Sequence, residues 1–172
     1  MIKLYKAGDD LRYWEAWSTD TEVTVHWGVA GHVGETREFQ LKPGENPNAI
    51  IAREAKQPKK DGYRKMPASK LQRLVIQYRV SGMGEVYDLD KRAKVEELLN
   101  ECLGWKGLGH CDGGDLGSGT MNVFCFVVDA KTAVPHVLEE LKASGMIDGA
   151  IVAIGEEAKV VWPMNFEGTF LI

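Results

Sequence analysis

The sequence predicts an α+β protein built from two small domains, and three observations lead to this prediction. Four short segments before residue 42 are rich in β-forming residues, and one helix-like segment follows them. After residue 70 the chain reads β-α-β-β-α-β. Between these regions, 65–70 is a short Pro-containing segment typical of a linker. The predicted domains are 1–66 and 69–172.

The first domain is predicted to be an antiparallel sheet with one helix. Apolar and polar residues alternate in each predicted strand, as expected when one face is buried. The predicted strands are 2–6, 12–19, 22–29 and 35–41. A loop then leads to a helix over 48–56, for which Asn46 or Asn48 can be the N-cap and which Pro58 is expected to end.

The second domain is predicted to begin with a strand over 74–80 and a helix that starts at Asp88 or Asp90. Gly104 is expected to end this helix. The apolar stripe of the helix is Val95, Leu98, Leu99, Cys102 and Leu103. A glycine-rich connection over 107–119 follows.

The rest of the second domain alternates strand and helix once more. A strand over 121–128 precedes a helix that starts at Asp129, holds Pro135 in its first turn and ends at Gly145. The predicted remainder is a strand over 150–154, an edge strand over 160–162 and a docking tail over 166–172. This order favours a ferredoxin-like α/β sandwich, loosely similar to domains of uncharacterised bacterial proteins.

Composition and charge limit the classes of function. Residues 1–66 hold 11 Lys and Arg against 10 Asp and Glu, whereas 67–172 hold 10 against 15. A nucleic-acid-binding protein usually carries a basic surface, and the second half has none. The N-terminus is polar from Lys3 and lacks the apolar core of a signal peptide, and no apolar run is long enough for a membrane span. These features predict a cytoplasmic protein.

The three cysteines, Cys102, Cys111 and Cys125, show no CxxC spacing. Neither a disulfide framework nor a zinc site is therefore predicted. We expect them to be small buried apolar residues, because free cysteine is often buried.

The stretch 27–36 reads WGVAGHVGET, and 59–63 reads KKDGY. Together they resemble the WGR domain of DNA-dependent poly(ADP-ribose) polymerases and of many bacterial proteins of unclear role. The resemblance covers about residues 2–65 and implies the sheet and helix predicted above. It also implies a turn that presents Trp27 to a DNA end. Val29 stands where the motif has arginine, and valine can neither pair with phosphate nor stack as a guanidinium does.

The stretch 110–119, HCDGGDLGSG, is the most site-like part of the second domain. We interpret it as an exposed acidic surface that binds a protein partner through Asp112, Asp115 and Ser118. An ordinary turn between strands, with Asp and Gly chosen for geometry, is the alternative. A calcium loop needs more oxygen ligands, and a zinc site needs more than His110 and Cys111. No metal or cofactor is therefore predicted.

The leading functional prediction is a non-enzymatic bacterial binding or adaptor protein, since no catalytic group of residues can be assembled from the sequence. One specific form is a toxin-neutralising immunity protein, by analogy with other small acidic proteins. The alternative is nucleic-acid binding through Trp27, Lys59, Lys60 and Arg64 in the WGR-like domain. An enzyme that uses the 110–115 loop is a third reading. Exposed strand edges also favour a homodimer.

Overall fold

A computed structural model describes residues 1–170 and 172. It contains helices and two antiparallel sheets, of four and five strands, so the predicted α+β class is confirmed. The chain divides into two compact units. The first unit is Met1–Ala68 with Trp105–Gly107, and the second is Ser69–Gly104 with Leu108–Ile172. Within the described residues, no helix is both long and apolar enough to cross a membrane.

The sheet of the first unit has the order β1-β2-β3-β4, with neighbouring strands antiparallel. Its strands are β1 (Ile2–Lys6), β2 (Arg12–Ser18), β3 (Glu22–Val29) and β4 (Glu35–Gln40). Alternate residues form the core on one face, where Trp14, Val23 and Val25 pack with Ile50 and Ile51. All four predicted strands are present.

Two helices, α1 (Pro47–Glu54) and α2 (Lys56–Lys60), follow the sheet of the first unit. Asn46 is the N-cap of α1, and its side chain accepts a hydrogen bond from the Asn48 backbone N–H. The predictions of a single helix and of Pro58 as its end are wrong. Pro58 is the third residue of α2, where a backbone N–H has no intrahelical acceptor, so proline is tolerated there.

The sheet of the second unit has the order β6-β7-β5-β8-β9 and is antiparallel throughout. Its strands are β5 (Gln72–Arg79), β6 (Gly109–Gly117), β7 (Thr120–Val127), β8 (Ile151–Ile154) and β9 (Lys159–Trp162). The predicted glycine-rich connection over 107–119 is therefore mostly a strand. Its register with β7 shifts between Cys111 and Gly114, as at a β-bulge, which glycine accommodates.

The first helix of the second half of the chain, α3 (Val86–Trp105), begins before Asp88 and continues through Gly104. Both predicted ends were wrong. Asp88 lies in the first turn and accepts the Glu85 N–H. The helix ends at Trp105 and is followed by Gly107, which has a φ of 61°. The Leu108 N–H donates to the Leu103 carbonyl at 2.8 Å. That bond is the one that closes a Schellman motif.

Helix α4 (Ala130–Ala143) begins after Asp129, whose side chain accepts the Lys131 N–H, as predicted. Gly145 ends it with a φ of 72°, again as predicted. Pro135 is the sixth residue of the helix and not in its first turn, so that prediction was wrong. Proline at this position removes one backbone hydrogen bond from the helix.

The sequence did not predict a disulfide, but the structure contains one. Cys111 on β6 and Cys125 on β7 lie opposite each other, 3.9 Å apart at Cα, and form a disulfide. The sequence spacing gave no sign of this pair, because only the strand register brings the two residues together. Cys102 lies outside this disulfide and is buried, as predicted.

Part of the predicted C-terminal tail is attached to the sheet of the second unit. The guanidinium of Arg79 on β5 donates to the backbone carbonyl of Thr169 at 2.8 Å. Leu171 lies outside the described residues.

Candidate functional site

The turn between β6 and β7 lies against the segment that precedes α3. Ser118 and Gly119 form a two-residue hairpin loop with φ values of 52° and 84°. Positive φ at both positions is typical of a type I′ turn. The Gly119 N–H donates to the Gly82 carbonyl at 2.7 Å, and the Val80 N–H donates to the Gly119 carbonyl at 3.0 Å. The predicted site residue Ser118 is therefore exposed at a turn that is held against residues 80–82.

Three large apolar side chains are exposed beside this turn. Met83 is 73% exposed, Val86 is 74% exposed and Tyr87 is 73% exposed. We call Met83, Val86 and Tyr87 the apolar patch. A Cβ added at Gly117 of β6 would lie 3.3 Å from the Met83 methyl group, so the patch adjoins the hairpin. Single exposed apolar residues are common on protein surfaces, whereas these three lie within one short stretch of the chain, Met83 to Tyr87, and together offer apolar surface for an interaction.

Carboxylates lie around the apolar patch. Glu85 is exposed and directly precedes Val86, and Asp88 follows Tyr87. On β6, Asp112 and Asp115 are both exposed, so the predicted partner-binding residues are accessible. Asp115 is two residues from Gly117 and therefore near Met83. Asp112 lies in the β-bulge, farther along β6 from the patch.

The position of Asp115 is fixed by a row of polar side chains across three strands. Its carboxylate accepts a hydrogen bond from the Asn122 amide at 2.6 Å. Asn122 in turn accepts from the Gln77 amide at 2.8 Å, and both amides are buried. A carboxylate held in this way loses little side-chain freedom when it meets a partner, which lowers the cost of binding.

The outer edge of β6 is occupied by side chains of α3. The Asn100 side chain accepts the Cys111 N–H at 3.1 Å, and the Glu96 carboxylate accepts the Gly113 N–H at 3.2 Å. Unpaired N–H groups at a sheet edge invite pairing with another chain. These two bonds hold the bulge in place and reduce the tendency of β6 to form intermolecular sheet.

Sequence reasoning missed the apolar patch, although a signal was present. Val86 and Val95 are nine residues apart, which is about 180° around a helix at ~100° per residue. Since Val95 is fully buried, Val86 has to lie on the opposite side of α3. An apolar residue out of phase with the buried stripe could therefore have been identified as exposed.

The residues of the nucleic-acid alternative do not form one cluster. Arg64 donates to the backbone carbonyls of Lys59 and Tyr63 at 2.7 and 2.8 Å, which is a structural role. Arg64 also pairs with Tyr5 at the β1 edge, whereas Trp27 lies on β3. Three strand spacings, about 14 Å, separate these positions. Lys59 and Lys60 are exposed on α2.

Trp27 has a cationic neighbour that the motif did not reveal. The Arg37 guanidinium lies over the Trp27 ring, 5.6 Å from its centroid, and the Arg37 side chain is 61% exposed. Strand register explains this contact, because Arg37 opposes Val25 and thus shares a sheet face with Trp27. Arg37 is also 3.8 Å from Glu54, which offsets its charge.

A chain of buried polar groups crosses the other face of the first unit's sheet. The Glu15 carboxylate contacts the Lys3 ammonium at 3.0 Å and the His26 Nδ1 at 2.9 Å. The His26 Nε2 is 2.9 Å from the Tyr13 hydroxyl. Burial, with a further contribution from Glu15, raises the pKa of Tyr13 to about 12.

Aromatic rings enclose His26. Its ring centroid lies 4.9 Å from that of Tyr13, 5.0 Å from that of Trp105 and 6.2 Å from that of Trp17, all in edge-to-face geometry. Both ring nitrogens of His26 are occupied and the residue is 0% exposed. A substrate cannot reach this imidazole, so we assign the network to the stability of the first unit.

The part of the chain that the structure describes has no group of three or more His, Cys, Asp or Glu residues placed to hold a metal ion. The chain matches no protein-family model, no curated protein and no solved structure. The WGR and ferredoxin-like resemblances therefore stay predictions, and the function has to be argued from the chemistry of the surfaces.

Proposed function

We propose that this protein is a non-enzymatic binding protein whose second unit docks on a protein partner. The observation that carries the proposal is the exposed apolar patch bordered by carboxylates. Tyrosine and methionine are enriched at the buried centre of interfaces, and a polar rim normally surrounds such a centre. Met83, Val86 and Tyr87 would supply the centre, with Asp115 and Ser118 at the rim and Asp112 farther along β6.

The charge around the apolar patch defines the kind of partner. Glu85, Asp88 and Asp115 lie close to the patch in sequence or through the hairpin. The partner is therefore a protein with an apolar socket bordered by lysine or arginine. Opposite charges at the rim speed association and favour the correct partner more than they add affinity. A basic toxin neutralised by an immunity protein is one partner of this kind.

Affinity capture from the native host tests this proposal. The wild-type protein is compared with Met83→Ser/Val86→Ser/Tyr87→Ser and with Asp112→Asn/Asp115→Asn, and the captured proteins are quantified by mass spectrometry. Val33→Ser is the matched control, because Val33 is 69% exposed in the first unit.

We expect the triple serine variant to lose one basic protein that the wild type and Val33→Ser retain. The asparagine variant should retain it with an affinity reduced about 2- to 30-fold, since each of the two charged contacts contributes about 0.2–1 kcal/mol. Equal capture of every protein by wild type and triple variant would contradict the proposal.

A second candidate function, single-stranded nucleic-acid binding by the first unit, rests on one observation. Arg37 over Trp27 offers a cation beside an aromatic ring, and such pairs can stack with bases. The test is fluorescence anisotropy of labelled DNA and RNA at low and moderate salt. This function requires binding that weakens with salt and is lost in Lys59→Glu/Lys60→Glu and in Arg37→Glu. Absence of binding at low salt would exclude it.

A further inference from the structure

A cavity of about 480 Å³ lies in the second unit, away from the residues of the apolar patch. It is formed by the start of β5, the first turn of α4 and the turn between β8 and β9. Its volume falls within the roughly 300–1,000 Å³ typical of small-molecule sites. Leu71, Ala130 and Ile154 supply apolar lining.

Arg73 supplies a positive charge to this cavity. Its Nη2 donates to the Glu156 backbone carbonyl at a long 3.4 Å. Its Nε is buried and has no hydrogen-bond partner among the described residues, and none of their carboxylates lies within ion-pair distance of Arg73. A guanidinium has five N–H donors and matches a carboxylate in a two-bond geometry. A buried donor without a protein partner can be satisfied by a water molecule or by a ligand group.

Two carboxylates, Glu156 and Glu157, line the same cavity, and Lys159 adds a second cation. The two positive and two negative side chains leave the lining neutral. A simple anion such as phosphate meets Arg73 but is repelled by the glutamates. A molecule with both a carboxylate and an ammonium group satisfies both kinds of side chain.

The first turn of α4 does not need a ligand. The Ala130 N–H donates to the Gln72 side chain at 2.6 Å, and the Lys131 N–H donates to the Asp129 side chain at 3.0 Å. The recognition groups of the cavity are therefore its charged side chains and its apolar lining.

We propose that this cavity binds a free α-amino acid with an aliphatic side chain. The ligand carboxylate pairs with Arg73, and its ammonium group pairs with Glu156 or Glu157. The aliphatic side chain lies against Leu71, Ala130 and Ile154. This binding site is separate from the protein-docking function and does not depend on it.

Calorimetric titration of the full chain with three related compounds tests the inference. The probes are L-leucine, isopentylamine, which lacks the carboxylate, and 4-methylpentanoate, which lacks the amino group. We expect leucine to bind about 10-fold or more tightly than either partial compound, because each partial compound lacks one of the two charge-assisted contacts; a 10-fold ratio corresponds to about 1.4 kcal/mol. No heat of binding at roughly 10 mM leucine, or equal affinity for all three compounds, would overturn the inference.

Two variants test which side chains of the cavity pair with the carboxylate and with the ammonium group of the ligand. Arg73→Met should weaken leucine and 4-methylpentanoate but leave isopentylamine unchanged. Glu156 and Glu157 lie in an exposed turn. Glu156→Gln/Glu157→Gln should weaken the binding of leucine and isopentylamine but leave that of 4-methylpentanoate unchanged. Arg12→Met is the matched control for loss of an arginine, since Arg12 is exposed in the first unit. An unchanged leucine affinity in both cavity variants would contradict the proposed site, as would tighter binding of inorganic phosphate than of leucine.

Discussion

Replacing His26 by phenylalanine tests the buried polar network of the first unit. The substitution keeps an aromatic ring among Tyr13, Trp17 and Trp105 but removes both ring nitrogens. Glu15 then keeps only the Lys3 ammonium at 3.0 Å as an ion-pair partner among the described residues. The Tyr13 hydroxyl keeps two long contacts, 3.4 and 3.5 Å, with backbone carbonyls and a backbone hydrogen bond with Gly34.

The expected loss of stability follows from these two hydrogen bonds. A bond to a charged group contributes about 1.5–3 kcal/mol, and a neutral one about 0.5–1.5 kcal/mol. The larger ring of phenylalanine adds strain in a packed interior. We therefore expect the free energy of unfolding to fall by about 2–5 kcal/mol, which moves the urea midpoint by about 1–2 M.

Urea unfolding followed by tryptophan fluorescence measures this change. Trp14, Trp17, Trp27 and Trp105 all belong to the first unit, so the signal reports mainly on that unit. His32→Phe is the matched control, because the His32 side chain is exposed.

A loss below about 0.5 kcal/mol in His26→Phe would refute the reasoning, since surface substitutions change stability by this amount. An equal loss in His32→Phe would refute it as well. Adding Glu15→Gln to His26→Phe should cost less than the two single changes together, because the buried carboxylate no longer needs a partner.

Three further predictions concern other contacts. Because the pKa of Tyr13 is raised from 10.0 to about 12, its contribution to stability is present below pH 10 and is lost as pH rises from 10 to 12. The difference between the urea midpoints of the wild type and of Tyr13→Phe across this range measures it, because burial also raises the pKa values of Tyr5 and Tyr78. Gly107→Ala should lower the free energy of unfolding by about 3 kcal/mol or more, because its Cβ would overlap the Tyr13 ring. Gly145→Ala has open space around it and should lower this free energy by only the ~1–2 kcal/mol of the left-handed backbone. Urea unfolding measures both changes. Glu96→Ala should increase amide hydrogen exchange at Gly113 by about 10-fold, the equivalent of one ~1.4 kcal/mol bond, with little change in global stability.

Local patterns were enough to predict most of the elements. Alternation predicted the strands of the first unit, and Asn46, Asp129 and Gly145 acted as the expected helix signals. Gly104 shows the limit of such signals. The helix passes through it because Leu103 and Leu108 are both buried and the turn is completed at Gly107.

Features that depend on strand register could not be predicted from the sequence. Cys111 and Cys125 are 14 residues apart and meet only because β6 and β7 pair. The glycine-rich composition of β6 is typical of a loop, and the sequence therefore did not indicate a strand. The bulge in this strand is held by side chains from α3, which are distant in sequence. Arg37 on β4 contacts Trp27 for the same reason, because β4 pairs with the neighbouring strand β3.

The sequence predicts Asp112, Asp115 and Ser118 as partner-binding residues. All three are exposed and Asp115 is held by Asn122, while their role in binding stays a prediction. Their proximity to Met83 depends on the hairpin turn folding against residues 80–82, which no local pattern indicates.

Site-specific photo-crosslinking tests the central claim, docking of a protein partner on the apolar patch, most directly. A photoreactive amino acid replaces Tyr87 in one variant and Val33 in the control, and both are irradiated in cells of the native host. Docking at the apolar patch should give one crosslinked basic protein at position 87 that is absent at position 33 and is displaced by excess unlabelled wild-type protein. No crosslink at position 87, or the same crosslinks at both positions, would contradict it.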